Sequence, residues 1–111
     1  VMAGRGGAST MIFDEVDAGL GGRAAAVVAR KLEELARSRQ VIAISHLPQI
    51  ASRASTHFRI EKDVHGGRVA TRVRALDADE RVREVARMLA AEEVGESALV
   101  HARQMIAADK R

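Results

Sequence analysis

Hydrophobic and polar positions change their period several times along this chain, and each change marks a predicted element. Residues 10–14, Thr-Met-Ile-Phe-Asp, form an apolar run with no charge until its last position. Such a run reads as a short strand buried on both faces. Residues 17–22, Asp-Ala-Gly-Leu-Gly-Gly, are a glycine-rich turn. From 22 to 38 the spacing becomes helical. Val28, Leu32 and Leu35 fall at i, i+4 and i+7, while Arg30, Lys31, Glu33, Glu34 and Arg37 mostly face elsewhere. Residues 41–45, Val-Ile-Ala-Ile-Ser, repeat the buried-strand pattern, and Pro48 suits the first turn of a short helix through about 53. Strand, helix and strand in this order predict a βαβ unit with parallel strands and a right-handed crossover.

Beyond it the period shortens to two. Phe58 and Ile60 within 56–62, and Val69, Thr71 and Val73 within 68–75, predict an antiparallel hairpin with Val64-His65-Gly66-Gly67 between its strands. Two helices close the chain. The first has Asp77 as N-cap and Glu80 three residues on, a capping-box pattern, with Val82, Val85, Ala86 and Leu89 on its apolar face. Gly95 separates it from a second helix that aligns Leu99, Ala102 and Ile106. At the other end, residues 4–9 read as a loop, and Val1-Met2-Ala3-Gly4 reads as a helix ending at glycine. The chain is therefore expected to begin in mid-domain. The expected class is α/β.

Composition narrows the chemistry. A length of 111 residues suits one domain or a piece of a larger one. Much of the 47% hydrophobic content is Ala, and Phe13 and Phe58 are the only aromatics, so no core anchored on large rings is expected. The net charge of +3 is modest, and Arg far outnumbers Lys among the 18 basic residues. That preference suits contacts to phosphate or carboxylate. Without Cys, disulfides and thiolate zinc sites are excluded. The longest Ala/Val run, 24–29, is far too short to cross a bilayer.

Three acids within four positions, Asp14, Glu15 and Asp17, follow directly on the first strand. Near a core they are costly unless a cation compensates. Parallel βαβ sheets bind ligands at the carboxyl ends of their strands. Asp14-Glu15 ends the first strand and His46 follows the second, so acids and imidazole are expected to converge on one sheet edge. An apolar strand followed by Asp-Glu is the pattern called Walker B in ATPases. On this reading Asp14 holds Mg²⁺ through a hard carboxylate oxygen. Glu15 polarises the attacking water as general base. His46 donates a hydrogen bond to the γ-phosphate, and Asp17 reaches towards a second subunit.

Other readings fit less well. An EF-hand loop starting at Asp14 would have Val16 in its third position and Ala25 in its twelfth, neither a ligand. Adjacent Ser45 and His46 on a strand point to opposite faces and form no hydrolase dyad. His57, His65 and His101 lack metal-ligand spacing and are expected at the surface. One alternative of another class is a non-catalytic DNA-binding module. In it the acids are structural and Arg59, Lys62, Arg68, Arg72 and Arg74 form a basic stripe on the hairpin.

The run from Asp14 to Gly22, then a helix, then Val41-Ile42-Ala43-Ile44-Ser45-His46-Leu47-Pro48-Gln49-Ile50-Ala51, closely resembles the C-terminal head segment of the RecN family. These are bacterial SMC-like, ABC-type ATPases of DNA double-strand break repair. The resemblance covers nearly the whole chain. Its Asp-Ala-Gly-Leu-Gly-Gly D-loop and Ser-His-Leu-Pro-Gln run set it apart from transporter ATPases and other SMC-like heads, which stand as the alternatives. The resemblance implies a P-loop ATPase head that binds and hydrolyses ATP with Mg²⁺ and dimerises with a second head around ATP. It also implies action on DNA, in the cytoplasm at the nucleoid, with no membrane partner. By the same analogy Asp14 aids Mg²⁺ binding, Glu15 and His46 are catalytic, and Asp17 and Gly19 lie at the head–head interface. No G-x-x-x-x-G-K-[ST] loop, no Leu-Ser-Gly-Gly signature and no long heptad segment occur in these residues. Residues 1–111 are therefore expected to form the C-terminal half of the head. Hydrolysis is expected only once an N-terminal half carrying Walker A completes it.

Overall fold

The computed structural model describes residues 10–15, 19–90 and 93–108. The predicted loop at 4–9 and the helix end at 1–4 lie outside them, as does Asp17. Strand β1 (Thr10–Asp14), helix α1 (Gly22–Leu35) and strand β2 (Gln40–Ile44) form the expected βαβ unit. β1 and β2 are direct parallel neighbours, in register from Thr10 opposite Gln40 to Asp14 opposite Ile44. Helix α2 (Pro48–Ala51) follows, shorter than expected because the chain loosens into turns at Ser52 and Arg53. Strands β3 (Phe58–His65) and β4 (Arg68–Ala75) pair as an antiparallel hairpin, and helices α3 (Ala78–Leu89) and α4 (Glu96–Ala108) complete the order.

Two small cores hold these elements together. In the first, α1 lays Ala29 and Leu32 beside Ile50 of α2, against Phe13 and Val41 of the sheet. In the second, Val85 and Ala86 of α3 meet Ala102 of α4, flanked by Val82, Leu89, Leu99 and Ile106, and Ala51 of α2 packs there too. Consecutive residues of one short helix thus serve both cores. The α3 start follows its sequence signal. Asp77 Oδ1 accepts from the Glu80 N–H at 2.8 Å, and Glu80 Oε1 accepts from the Asp77 N–H at 3.0 Å. Such a reciprocal cap is worth about 1 kcal/mol.

The strands depart from expectation in their burial. Met11, Phe13 and Val41 face α1 and α2, but the opposite face is open, with Ile12 56%, Ile42 45% and Ile44 41% exposed. A sheet is buried on both faces only when a layer lies on each, and these residues supply a layer to one face. The hairpin boundaries also shift. β3 runs on through Val64 and His65, and only Gly66 and Gly67 turn, at φ +55° and +79°. Positive φ at both central residues is the two-residue turn whose twist matches the flanking strands, and glycine adopts it without steric cost.

The hairpin orientation is the less expected result. Arg59, Glu61, Arg72 and Arg74 share the face whose side chains reach α3, whereas Phe58, Ile60, Val64, Val69 and Val73 occupy the other. Each of those five apolar residues is more than half exposed.

Candidate functional site at the parallel strand ends

Direct pairing of β1 with β2 brings the two sequence-predicted clusters to one edge. Asp14 closes β1 opposite Ile44, and His46 lies two residues beyond Ile44. Pairing continues one step past the strand, because the Glu15 N–H donates to the Ile44 carbonyl at 3.1 Å. At that point the backbone reverses. Glu15 has φ +52°, the one described non-glycine residue in the left-handed region. That conformation costs an L-residue about 1–2 kcal/mol. It also breaks the alternation that would carry Glu15 straight to the opposite face from Asp14. Strain of this kind at a strand end beside a candidate carboxylate is a positive sign of a functional constraint. Asp14, Glu15 and His46 are all exposed, and Gly19 sits in the turn beyond them at φ +75°.

The segment after β2 shapes the placement of His46. Ser45 Oγ accepts a hydrogen bond from the Leu47 N–H at 3.0 Å, closing a small turn around the histidine. Two residues later Pro48 opens α2, its fixed φ suited to a first helical turn. The far end of α2 is held from two sides. Arg53 Nη1 meets Glu33 Oε1 of α1 at 2.9 Å. From α3, Arg81 Nη2 donates to the carbonyls of Ala51 at 3.4 Å, Ser52 at 2.9 Å and Ala54. Sequence reading missed Arg81, since one arginine on an amphipathic helix reads as a solvated residue.

Among the described residues no three His, Asp or Glu side chains gather as a protein-only metal cage. Mg²⁺ does not need one: it commonly takes one or two carboxylates and fills its octahedron with water and substrate phosphates. An exposed Asp14 at the carboxyl end of a parallel pair is a donor that fits this arrangement.

Elsewhere the structure corrects two expectations. The hairpin arginines do not form a free basic stripe. Arg59 lies 3.7 Å from Glu61 and 3.8 Å from Glu84, Arg72 pairs with Asp63 at 3.1 Å, and Arg74 pairs with Glu80 and with Glu61 at 3.5 Å. Lys62, opposite Thr71, belongs to the other face. Glu61 and Asp63 on the hairpin and Glu80 and Glu84 on α3 thus engage three of the five basic residues of the predicted stripe. His57 is not a surface residue either. It is half-buried between β3 and α3, and its Nδ1 has no hydrogen-bond partner. Burial pushes its pKa below the ordinary value, the Arg81 charge pushes the same way, and Glu84 opposes both. It lines a cleft of about 360 Å³ with Ser55, Thr56, Leu76, Asp77 and Arg81, away from the strand-end site.

Known proteins place these features. The chain is 52% identical over 98 residues to the DNA repair protein RecN of Deinococcus radiodurans, a match covering 88% of this chain. It is 45% identical over 106 residues to that of Streptomyces coelicolor, covering 96% of this chain, and 42% over 98 residues to that of Bacillus subtilis, covering 88%. Over the stretch they share, the chain belongs to the RecN family. It spans less than a fifth of the length of these RecN relatives, 17% or 18% in each case. No family model matches it. Among solved structures it resembles one from work on the structural biochemistry of ATP-driven dimerization and DNA-stimulated activation of SMC ATPases. That likeness has a TM-score of 0.58 at 19% identity and covers 76% of this chain and 50% of the other. At that identity it is a likeness of fold. Over the aligned stretch this RecN segment shares the α/β fold of that structure. Among the described residues no helix is long and apolar enough to cross a membrane.

Proposed function

We propose that this RecN-family segment supplies the hydrolytic half of an ATP site in a DNA double-strand break repair ATPase. The observation that carries the reading is the junction of β1 and β2. Asp14, Glu15 and the His46 turn stand at one carboxyl edge, with Glu15 in a left-handed backbone and its N–H bonded to the Ile44 carbonyl. Asp14 would provide a carboxylate oxygen for Mg²⁺, and the ion would supply positive charge to offset that of the phosphates. Glu15 accepts a proton from the attacking water as the new bond to the γ-phosphorus forms and the bond to the bridging oxygen of ADP breaks. His46 donates a ring N–H to the γ-phosphate oxygens, so it registers whether that group is present. Gly19, in the turn beyond, and Asp17 act at the interface with a second head in an ATP-dependent homodimer.

The phosphate-cradling Walker A loop comes from the N-terminal half of the same head, as does the strand layer that covers Ile12, Ile42 and Ile44. The bare apolar faces of both sheets support that need for a completing half. The ion pairs of Arg59, Arg72 and Arg74 count against the alternative of a DNA-binding module made of this segment alone.

Replacing Glu15 by Gln in the complete protein tests the assignment. ATP binding is expected to persist while turnover falls roughly 10²–10⁴-fold, the usual contribution of a positioned general base. Unchanged turnover in a folded E15Q protein would remove Glu15 from this role.

A further inference from the structure

Arg81 lies outside the proposed site, yet it is tied to it through a single short helix. α2 begins two residues after His46, and its last carbonyls converge on one guanidinium. Four consecutive residues leave no slack between the two ends. Ile50 is locked into the core under the parallel sheet, and Ala51 packs against the core of α3 and α4. A cation that bonds the last carbonyls at a helix C-terminus fixes that end of the helix, because few of those groups have partners within the helix. α2 is also connected to α1 through Arg53 and Glu33 and, through the Ser45 turn, back to β2.

We propose that Arg81 is a positioning residue for His46, acting through α2 and coupling the α3–α4 pair to the strand-end site. The inference rests on the ATPase reading above. With Arg81 in place, α3 holds the end of α2, and α2 holds the turn that carries His46. Without it, the Ser52–Ala54 carbonyls turn to water and the His46 turn gains freedom relative to Asp14 and Glu15. The His46 bond to the γ-phosphate then weakens most in the reacting geometry, where the charge on those oxygens shifts, while binding of the rest of ATP does not depend on it. The effect belongs in kcat rather than KM.

The test uses the complete protein with R81A, R81K and R81Q beside E15Q. R81A is expected to lower kcat about 10-fold to 10²-fold with KM for ATP within about threefold, the scale on which small displacements of reacting groups act. R81K, which keeps a cation over the same carbonyls, is expected to recover most of that loss. Faster amide hydrogen exchange at 52–54 in R81A, spreading to 46–48, is the accompanying structural signature. Wild-type kcat in folded R81A, or a loss in R81A that R81K leaves unchanged, would overturn the proposal. If R81A does not fold, R81Q, which retains an N–H donor without the charge, takes its place. Failure of all three variants to fold would place Arg81 in general packing and overturn the proposal as well. Should E15Q retain full turnover, the ATPase reading itself fails, whatever the Arg81 variants do.

Discussion

The parallel pair β1–β2 turns Met11, Phe13 and Val41 onto α1 and α2 and leaves Ile12, Ile42 and Ile44 bare. The hairpin β3–β4 does the reverse with its helix: it presents Arg59, Glu61 and Arg74 to α3 and exposes Phe58, Ile60, Val64, Val69 and Val73. Both strand pairs carry apolar side chains, but one is held to its helix by hydrophobic burial and the other by ion pairs. The strength of attachment differs accordingly. Apolar burial is worth roughly 25 cal/mol per Å². Partly exposed ion pairs are worth about 0–1 kcal/mol each. A hairpin attached in the second way is complete only when something apolar covers its outer face.

The largest test of this contrast is a pair of truncations in the 111-residue chain. Leu32→Ala, in the first core, is expected to lower unfolding free energy by about 2–5 kcal/mol. Val69→Ala, on the bare hairpin face, is expected to change it by less than about 0.5 kcal/mol. Denaturant titration measures both. A Val69→Ala cost equal to that of Leu32→Ala would mean the outer face is already covered, and the midpoint would then depend on protein concentration.

A smaller effect is expected where the hairpin meets α3. Glu84 is buried, with Oε1 2.5 Å from Arg87 Nε and Oε2 3.1 Å from Arg87 Nη2. Glu84→Gln removes the charge from those bonds and from the Arg59 contact, for an expected loss of about 1–2 kcal/mol in the same titration. No measurable loss would show that the arginines hold the hairpin without it.

The smallest effect is in the pH dependence. Burial alone would raise the Glu84 pKa, but the Arg87 hydrogen bond and charge, with Arg59 and His57, hold it below the ordinary value. A carboxylate lowered in this way stabilises the fold above its unfolded pKa, and the contribution is lost as pH falls through the folded one. His57 has the same sign by another route. Its pKa is lowered chiefly by burial, so the unfolded chain takes up the proton first and stability declines as pH drops below about 6.5. His57→Gln is therefore expected to flatten stability between about pH 6.5 and the lowered His57 pKa. The Glu84 limb at lower pH should remain. An unchanged slope in the upper window would show that His57 does not titrate with unfolding.

Much of this arrangement was legible in the residues. The runs at 10–14 and 41–45, joined by a helical period, set the parallel unit, and Asp77 with Glu80 announced the start of α3. The meeting of Asp14, Glu15 and His46 at one sheet edge followed from a rule about strand ends, which needs only that the strands be parallel. What could not be read is instructive. Ile12, Ile42 and Ile44 announce burial, but a sequence pattern records the need for a covering layer and not which residues supply it. Val64 and His65 read as loop because two glycines alone make the turn. Glutamate carries no signal for a left-handed backbone, so the reversal at Glu15, where the parallel pairing with Ile44 ends, has no sequence signature. Arg81 and His57 take their roles from neighbours about 25–30 residues away in sequence, beyond the reach of any local period.

The two-core attachment of α2 has a consequence for how this segment tolerates changes of length. Each residue advances a helix by about 100°, so one residue inserted or lost between Leu47 and Ile50 would rotate Ile50 out of the sheet core and bring its neighbour in. The same change at Gly66-Gly67 would lengthen an exposed hairpin tip and disturb neither core. Length is therefore fixed just beyond His46 and free at the hairpin end, and insertions among related chains should collect at the second place and avoid the first.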